Sequence, residues 1–294
     1  MKLLRSELRN TPWAMAGNRI YIVVDPLLGD PFHDLPNWKV PLPIEHESLR
    51  GAHRPYLMQA GLHGDVFERS VDIAAQEAER SREDVPGART VCGWLFTSAS
   101  ASKVAAHLAS NALLRSAERA RLLRYWDPRV MDLMRAMLSP HQAHALMGLE
   151  SGWYWTGRDK TLHTLTSRDE GRGLHTALHL TDEQIALLEQ APHINRVLDI
   201  LQDTGHDVGA VDPLHLARCI CQGRQAWAFS DEHEHVIYAL HCVLVHEQFD
   251  RLPDVRNAMT VEVSQGRSAI TALDRFDDTY WQSMANSQSR MGQA

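Results

Sequence analysis

The sequence predicts a mixed α+β protein of two lobes: an N-terminal α/β lobe with a small mixed sheet, and a C-terminal all-helical lobe. Three observations carry this. Short β-branched and aromatic runs alternate with helical patterns in the first part of the chain. Helical periodicity then continues to the end. Between the two lies Ser167 to Gly173 (SRDEGRG), a polar, glycine-containing stretch that reads as an interlobe linker. The domains are therefore expected at 15–165 and 175–285, within a chain of 294 residues that is long enough for two cores.

Arg19 to Val24 (RIYIVV), bounded by Gly17-Asn18 and Asp25-Pro26, predicts a buried strand. The segment 26–55 that follows holds Pro26, Pro31, Pro36, Pro41, Pro43 and Pro55, which forbid a regular helix or a central strand. Pro55 to Ala60 offers a second strand. Val66 to Arg82 predicts a helix with Phe67, Val71, Ala74, Ala75 and Ala78 on one face. Thr90 to Thr97 reads as a third strand, followed by a helix through Val104, Leu108 and Ala112, and Arg121 to Trp126 reads as a fourth strand. Asp127-Pro128 then sets a capping carboxylate before a proline at the first helical position. Ser139-Pro140 repeats the device, Ser139 and Gln142 have capping-box spacing, and Gly148 is the expected stop. Trp153 to Trp155 predicts one more strand.

In the C-terminal lobe, Thr181 and Gln184 have capping-box spacing, Ile194, Val197, Leu198 and Leu201 form one stripe, and Gly205 ends it. Asp212-Pro213 opens a helix that Gly223 is expected to close. Ser230-Asp231-Glu232 opens another through Val236, Leu240, Val243 and Leu244. Pro253 opens a further one, and Ile270, Leu273 and Tyr280 mark the last, with fraying expected from Asn286.

Composition narrows the function classes. No apolar run approaches the roughly 18 residues of a membrane span, and Met1 to Asn10 has no following apolar stretch of the kind a signal peptide needs. A cytoplasmic protein is expected. Residues 1–170 carry 21 Lys+Arg and 20 Asp+Glu, whereas residues 171–294 carry 9 and 17. An acidic half excludes the basic footprint of a nucleic-acid binder. Cys219 and Cys221 form C-x-C rather than C-x-x-C, and with Cys92 and Cys242 read as thiols in a reducing cytosol. His233, His235, His241 and His246 never fall three or four residues apart, the spacing a helical metal pair needs. No G-x-S-x-G elbow or phosphate loop occurs. No metal, cofactor or catalytic residue is expected, and the protein is not read as an enzyme. The alternative is a hydrolase using the histidine-rich C-terminal lobe. Trp94, Trp126, Trp153 and Trp155 lie in core elements and read as packing.

The segment Leu122 to Trp155 closely resembles the signature of the domain-of-unknown-function 4123 family, in which an Arg-aromatic-aromatic-Asp-Pro-Arg junction leads into an apolar helix, a second capped helix and a Trp-rich strand. Arg124, Tyr125, Trp126, Asp127, Pro128 and Arg129 fall on that motif. Tyr21 to Asp25 and Gly93 to Ser102 match in order, so the resemblance spans most of 18–160. Phe249 to Pro253 matches more loosely. The resemblance implies an adaptor, or chaperone, of the type VI secretion system that binds one toxic effector and helps mount it on the spike protein VgrG. The motif residues themselves read as structural or partner-facing: Asp127 as a helix cap, Arg124 and Arg129 as ion-pairing or exposed. Expected effector contacts are Phe32 and Trp38 of the proline-rich segment and the acidic pair Asp231 and Glu232, with the junction of the lobes as the expected seat.

Overall fold

The computed structural model describes residues 2–79, 89–115, 120–148, 151–167 and 178–291. The chain divides into two compact units, Met1–Thr181 and Asp182–Ala294. Ser167, the expected start of the linker, instead ends a strand, and 168–173 lie outside the described residues.

The N-terminal unit is built on a six-stranded sheet. Its strands are β1 (Arg19–Val24), β2 (Lys39–Pro41), β3 (Tyr56–Ala60), β4 (Val91–Thr97), β7 (Ser151–Thr156) and β8 (Leu162–Ser167), in the order β2-β3-β1-β4-β7-β8. Every pair is antiparallel, where the sequence led us to expect a mixed sheet. In β1, Ile22 lies opposite Met58 on one side and Trp94 on the other. That central place explains the uninterrupted apolar run of β1, since both faces are covered. Proline-rich β2 takes an edge, where a missing N–H does no harm.

Alternation along the strands divides the core. Ile20, Ile22, Val24, Met58, Trp94, Phe96 and Tyr154 pack with Leu4 and Leu8 of α1 (Lys2–Arg9) and with Phe67, Val71 and Ala74 of α3 (Asp65–Glu79). Leu4 and Leu8 are one helical turn apart, which makes α1 amphipathic. Its other face carries Arg5 and Arg9, which pair with Glu68 and Asp72 of α3. Trp13, on α2 (Pro12–Met15), lies where a side chain on Gly152 of β7 would stand, so the strand needs glycine there. The intervening residues Tyr21, Val23, Leu57, Leu95 and Trp153 are equally buried.

The expected strand Arg121–Trp126 is shorter. Only Ala120–Leu122 (β6) is extended, in a two-stranded ribbon with Leu113–Arg115 (β5), and Tyr125-Trp126 lie in a turn. Helix α4 (Ala101–Ser110) ends before Ala112, and the Leu123 N–H donates to the Ala112 carbonyl. Strand β8 has no apolar run to announce it, because at the sheet edge its side chains from Leu162 to Thr166 are half-buried or exposed. It places His163 between two carboxylates, with Nδ1 on Asp132 Oδ1 at 2.5 Å and Nε2 3.2 Å from Asp159 Oδ2. Trp155 Nε1 donates to the same Asp132 oxygen at 2.8 Å.

The hydrogen bond to Asp132, first among the causes, raises the His163 pKa above its ordinary 6.5. A raised folded-state pKa contributes stability that is complete below the unfolded value and lost as pH rises through the folded one. Stability should therefore decline from about pH 6.5 upward, and His163→Gln should remove that part of the decline. Chemical denaturation at about pH 5.5 and about pH 8.5 checks it; parallel profiles for the two proteins would contradict it.

The C-terminal unit is helical: α7 (Asp182–Leu188), α8 (Ala191–Asp203), α9 (Pro213–Trp227), α10 (Glu232–Leu244), α11 (Pro253–Ser264), a 3-10 segment (Ala269–Arg275) and α12 (Asp278–Met291). The cap at Asp212 and the capping box of Asp231 with Glu234 are present. Gly223 does not end α9. It sits inside the helix, where a Cβ would come within 2.6 Å of the Tyr238 ring, and allows α10 to pack closely. Helix α12 runs past Asn286 to Met291. Phe229, Tyr238, Phe249, Val255, Met259 and Ile270 share one core.

Candidate functional site

The junction Arg124 to Arg129 is the candidate site, and its chemistry is organised by Asp25. Strand β1 ends there because Pro26 follows, and the Asp25 side chain caps the short 3-10 turn Pro26–Leu28. Its Oδ1 accepts the Leu27 N–H at 3.1 Å. Its Oδ2 accepts both an Arg124 guanidinium N–H and Trp126 Nε1, each at 2.6 Å. Asp25 is 3% exposed, and a buried carboxylate is stable only when its lone pairs are filled in this way.

Each motif residue has a defined place. Tyr125, fully buried, donates its hydroxyl to the Leu108 carbonyl of α4 at 2.8 Å and meets the ring of Trp153 edge-on. It thereby joins α4 to strand β7. Trp126 meets Tyr125 edge-on as well. Asp127 caps α5 (Pro128–Met137), with Oδ1 accepting the Arg129 N–H at 3.0 Å. The Arg129 guanidinium returns to the same carboxylate through two bonds of 2.9 and 2.6 Å. Burial opposes ionisation of Asp127, but the hydrogen bonds and charge of Arg129 outweigh it and hold the carboxyl below its ordinary pKa. Pro128 occupies the first helical position, where its missing N–H is not needed. Arg124 and Arg129 are thus both ion-paired. The next cap, Ser139 with Gln142 before α6 (Pro140–Met147), forms a complete capping box, and left-handed Gly148 ends that helix.

Asp127→Ala should cost about 2 kcal/mol, the upper end of what a lost cap costs, because the same carboxylate also holds Arg129. The melting temperature should fall before any partner binding does. Unchanged melting with abolished binding would make Asp127 a contact residue.

The expected contact residues part company. Phe32 is fully buried in the N-terminal core, with the Arg69 guanidinium 5.2 Å from its ring centroid, so it packs rather than faces a partner. Its proline-rich surroundings gave no sign of this, because segments without periodicity do not reveal which side chains turn inward. Trp38 stands 56% exposed just before edge strand β2. Asp231 and Glu232 are exposed, but Asp231 is also the cap of α10.

The histidines of the C-terminal unit are scattered through its packing. His193 stacks on His235, and His241 lies against Phe249 and Trp281. Cys219 Sγ is 3.5 Å from His215 Nε2, and Glu247 Oε2 is 3.3 Å from that same nitrogen. A nucleophile–His–acid relay uses the two ring nitrogens for different partners. Here both partners face Nε2, and Cys219 is 3% exposed. Among the described residues, no three His, Cys, Asp or Glu side chains are grouped to hold a metal ion. No helix among them is long and apolar enough to cross a membrane.

A sequence model of the family described as "Domain of unknown function (DUF4123)" matches residues 55–145, less than half of the chain. The matched segment runs from β3 into α6 and contains all six junction residues. No curated protein and no solved structure matches the chain.

Proposed function

We propose that this chain is an adaptor of the type VI secretion system, which binds a toxic effector in the cytoplasm and helps load it onto the VgrG spike. The observation that carries the reading is the Arg-Tyr-Trp-Asp-Pro-Arg junction at 124–129, within the segment that the family model matches. The adaptor function is the one that the resemblance of this junction implies. Two features support a binding role. Trp38 offers a large exposed aromatic beside a sheet edge, the kind of side chain that anchors interfaces. The charge imbalance between the two halves gives them different electrostatic partners.

The buried junction has a scaffold role in this reading, holding β1, α4 and α5 together so that the surface keeps its shape. Deleting the gene should stop delivery of one effector while the spike still assembles, and restoring the chain should restore delivery. Unaltered delivery of every effector in the deletion strain would remove the adaptor role.

A further inference from the structure

The C-terminal unit holds a feature that the junction does not use. Helix α10, the 3-10 segment and α12 enclose an open groove of about 830 Å³. Leu240 and Leu244 line it from α10, Leu273 and Phe276 from the 3-10 segment and the residue after it, and Trp281 from α12. Leu244 is 44% exposed at the end of its helix. Contiguous apolar surface open to solvent marks sites of interaction.

The charge at the groove selects the occupant. Asp274 and Asp278 are part of its lining, and no Lys or Arg is. Neither aspartate has an ion-pair partner among the described residues. The nearby Arg275 is turned to Glu262, which also holds Arg267. His241, also in the lining, is kept toward its neutral form by burial. Residues 182–294 as a whole carry 8 Lys+Arg against 17 Asp+Glu. The walls are helices, with no strand edge to pair with, so the fitting geometry is a helix laid in a groove rather than an added strand. The volume lies within the range of binding clefts.

We infer that this groove binds an amphipathic helix of the partner protein, with apolar anchors about one turn apart and Lys or Arg flanking them. The groove stands on its own geometry; only the identification of that partner as the effector rests on the adaptor reading.

The test uses the full chain and two labelled model helices of about 18 residues, with leucines at i, i+3, i+4 and i+7. One has Lys and Arg flanks and the other Glu flanks. By fluorescence anisotropy the basic helix should bind at least about tenfold more tightly than the acidic one, and its affinity should fall as salt rises. Leu244→Arg should weaken it by about tenfold or more through the apolar floor. Asp274→Lys with Asp278→Ser should reduce both affinity and salt dependence; serine is used at 278 because a cation in the first turn of α12 opposes the helix dipole. Circular dichroism confirms folding of each variant. Equal binding of the two helices, no binding of either, or binding untouched by these substitutions would overturn the inference. Applied to the effector complex, Leu244→Arg separates the two claims. Intact effector binding by that variant would take the groove out of effector recognition and leave the adaptor standing. A basic helix bound by a chain that binds no effector would leave the groove standing and the adaptor reading lost.

Discussion

Gly93→Ala should lower the stability of the N-terminal unit by about 3 kcal/mol or more. Gly93 lies in β4 with φ at +133°, a conformation that L side chains rarely adopt. An added Cβ would stand 2.3 Å from the Tyr154 carbonyl oxygen of β7 and 2.7 Å from Trp153 Nε1. The first obstacle is backbone of a central strand and cannot swing aside. The pairing of β1 with β4 shifts register at the same level: Val23 faces Gly93 and Val24 faces Val91, which leaves Cys92 as the extra residue of a bulge in β4. The melting temperature should fall by roughly 10 °C. Gly61→Ala is the control, since nothing stands within 4 Å of its Cβ position, and it should stay within about 0.5 kcal/mol of wild type. A Gly93→Ala protein that melts like the control would contradict the strand geometry.

Asp25→Ala should be nearly as damaging, costing about 3 kcal/mol. The substitution removes the acceptor of Trp126 Nε1, of an Arg124 N–H and of the Leu27 N–H together. Arg124 is about one-third exposed and can recover water, which keeps the estimate at the lower end for a broken ion pair. Trp126 is buried and cannot. Arg124→Ala should therefore cost clearly less than Asp25→Ala, and the double variant should show that the two are coupled. Equal, additive losses measured by urea denaturation would mean that the carboxylate does not organise the junction.

How far these features could be read in advance depended on their range. Local signals were legible. Asp127-Pro128, Ser139 with Gln142, and Gly148 occupy the predicted cap positions, because a cap is specified by residues within one turn of it. Central strands β1 and β4 announced themselves as apolar runs. Contacts at a distance did not. Asp25 and Trp126 are 101 positions apart, and nothing in a single sequence pairs them. Strand β8, half-exposed at the edge, lacked a hydrophobic signature. Gly223 carries the residue type of a helix stop but serves close packing against Tyr238, a distinction that only the neighbour decides. Among the candidate contacts, Phe32 of the proline-rich segment was expected to anchor the effector, yet the chain folds it into the core.

The proposed adaptor role meets its most direct test in a stoichiometry. The full chain is co-expressed with a candidate toxin and a VgrG spike protein, and the purified species are weighed by size-exclusion chromatography with light scattering. A defined complex of chain and toxin is expected to form without the spike and to persist through purification. A chain that elutes alone in the presence of both proteins, with toxin reaching the spike equally well in its absence, would contradict the adaptor role.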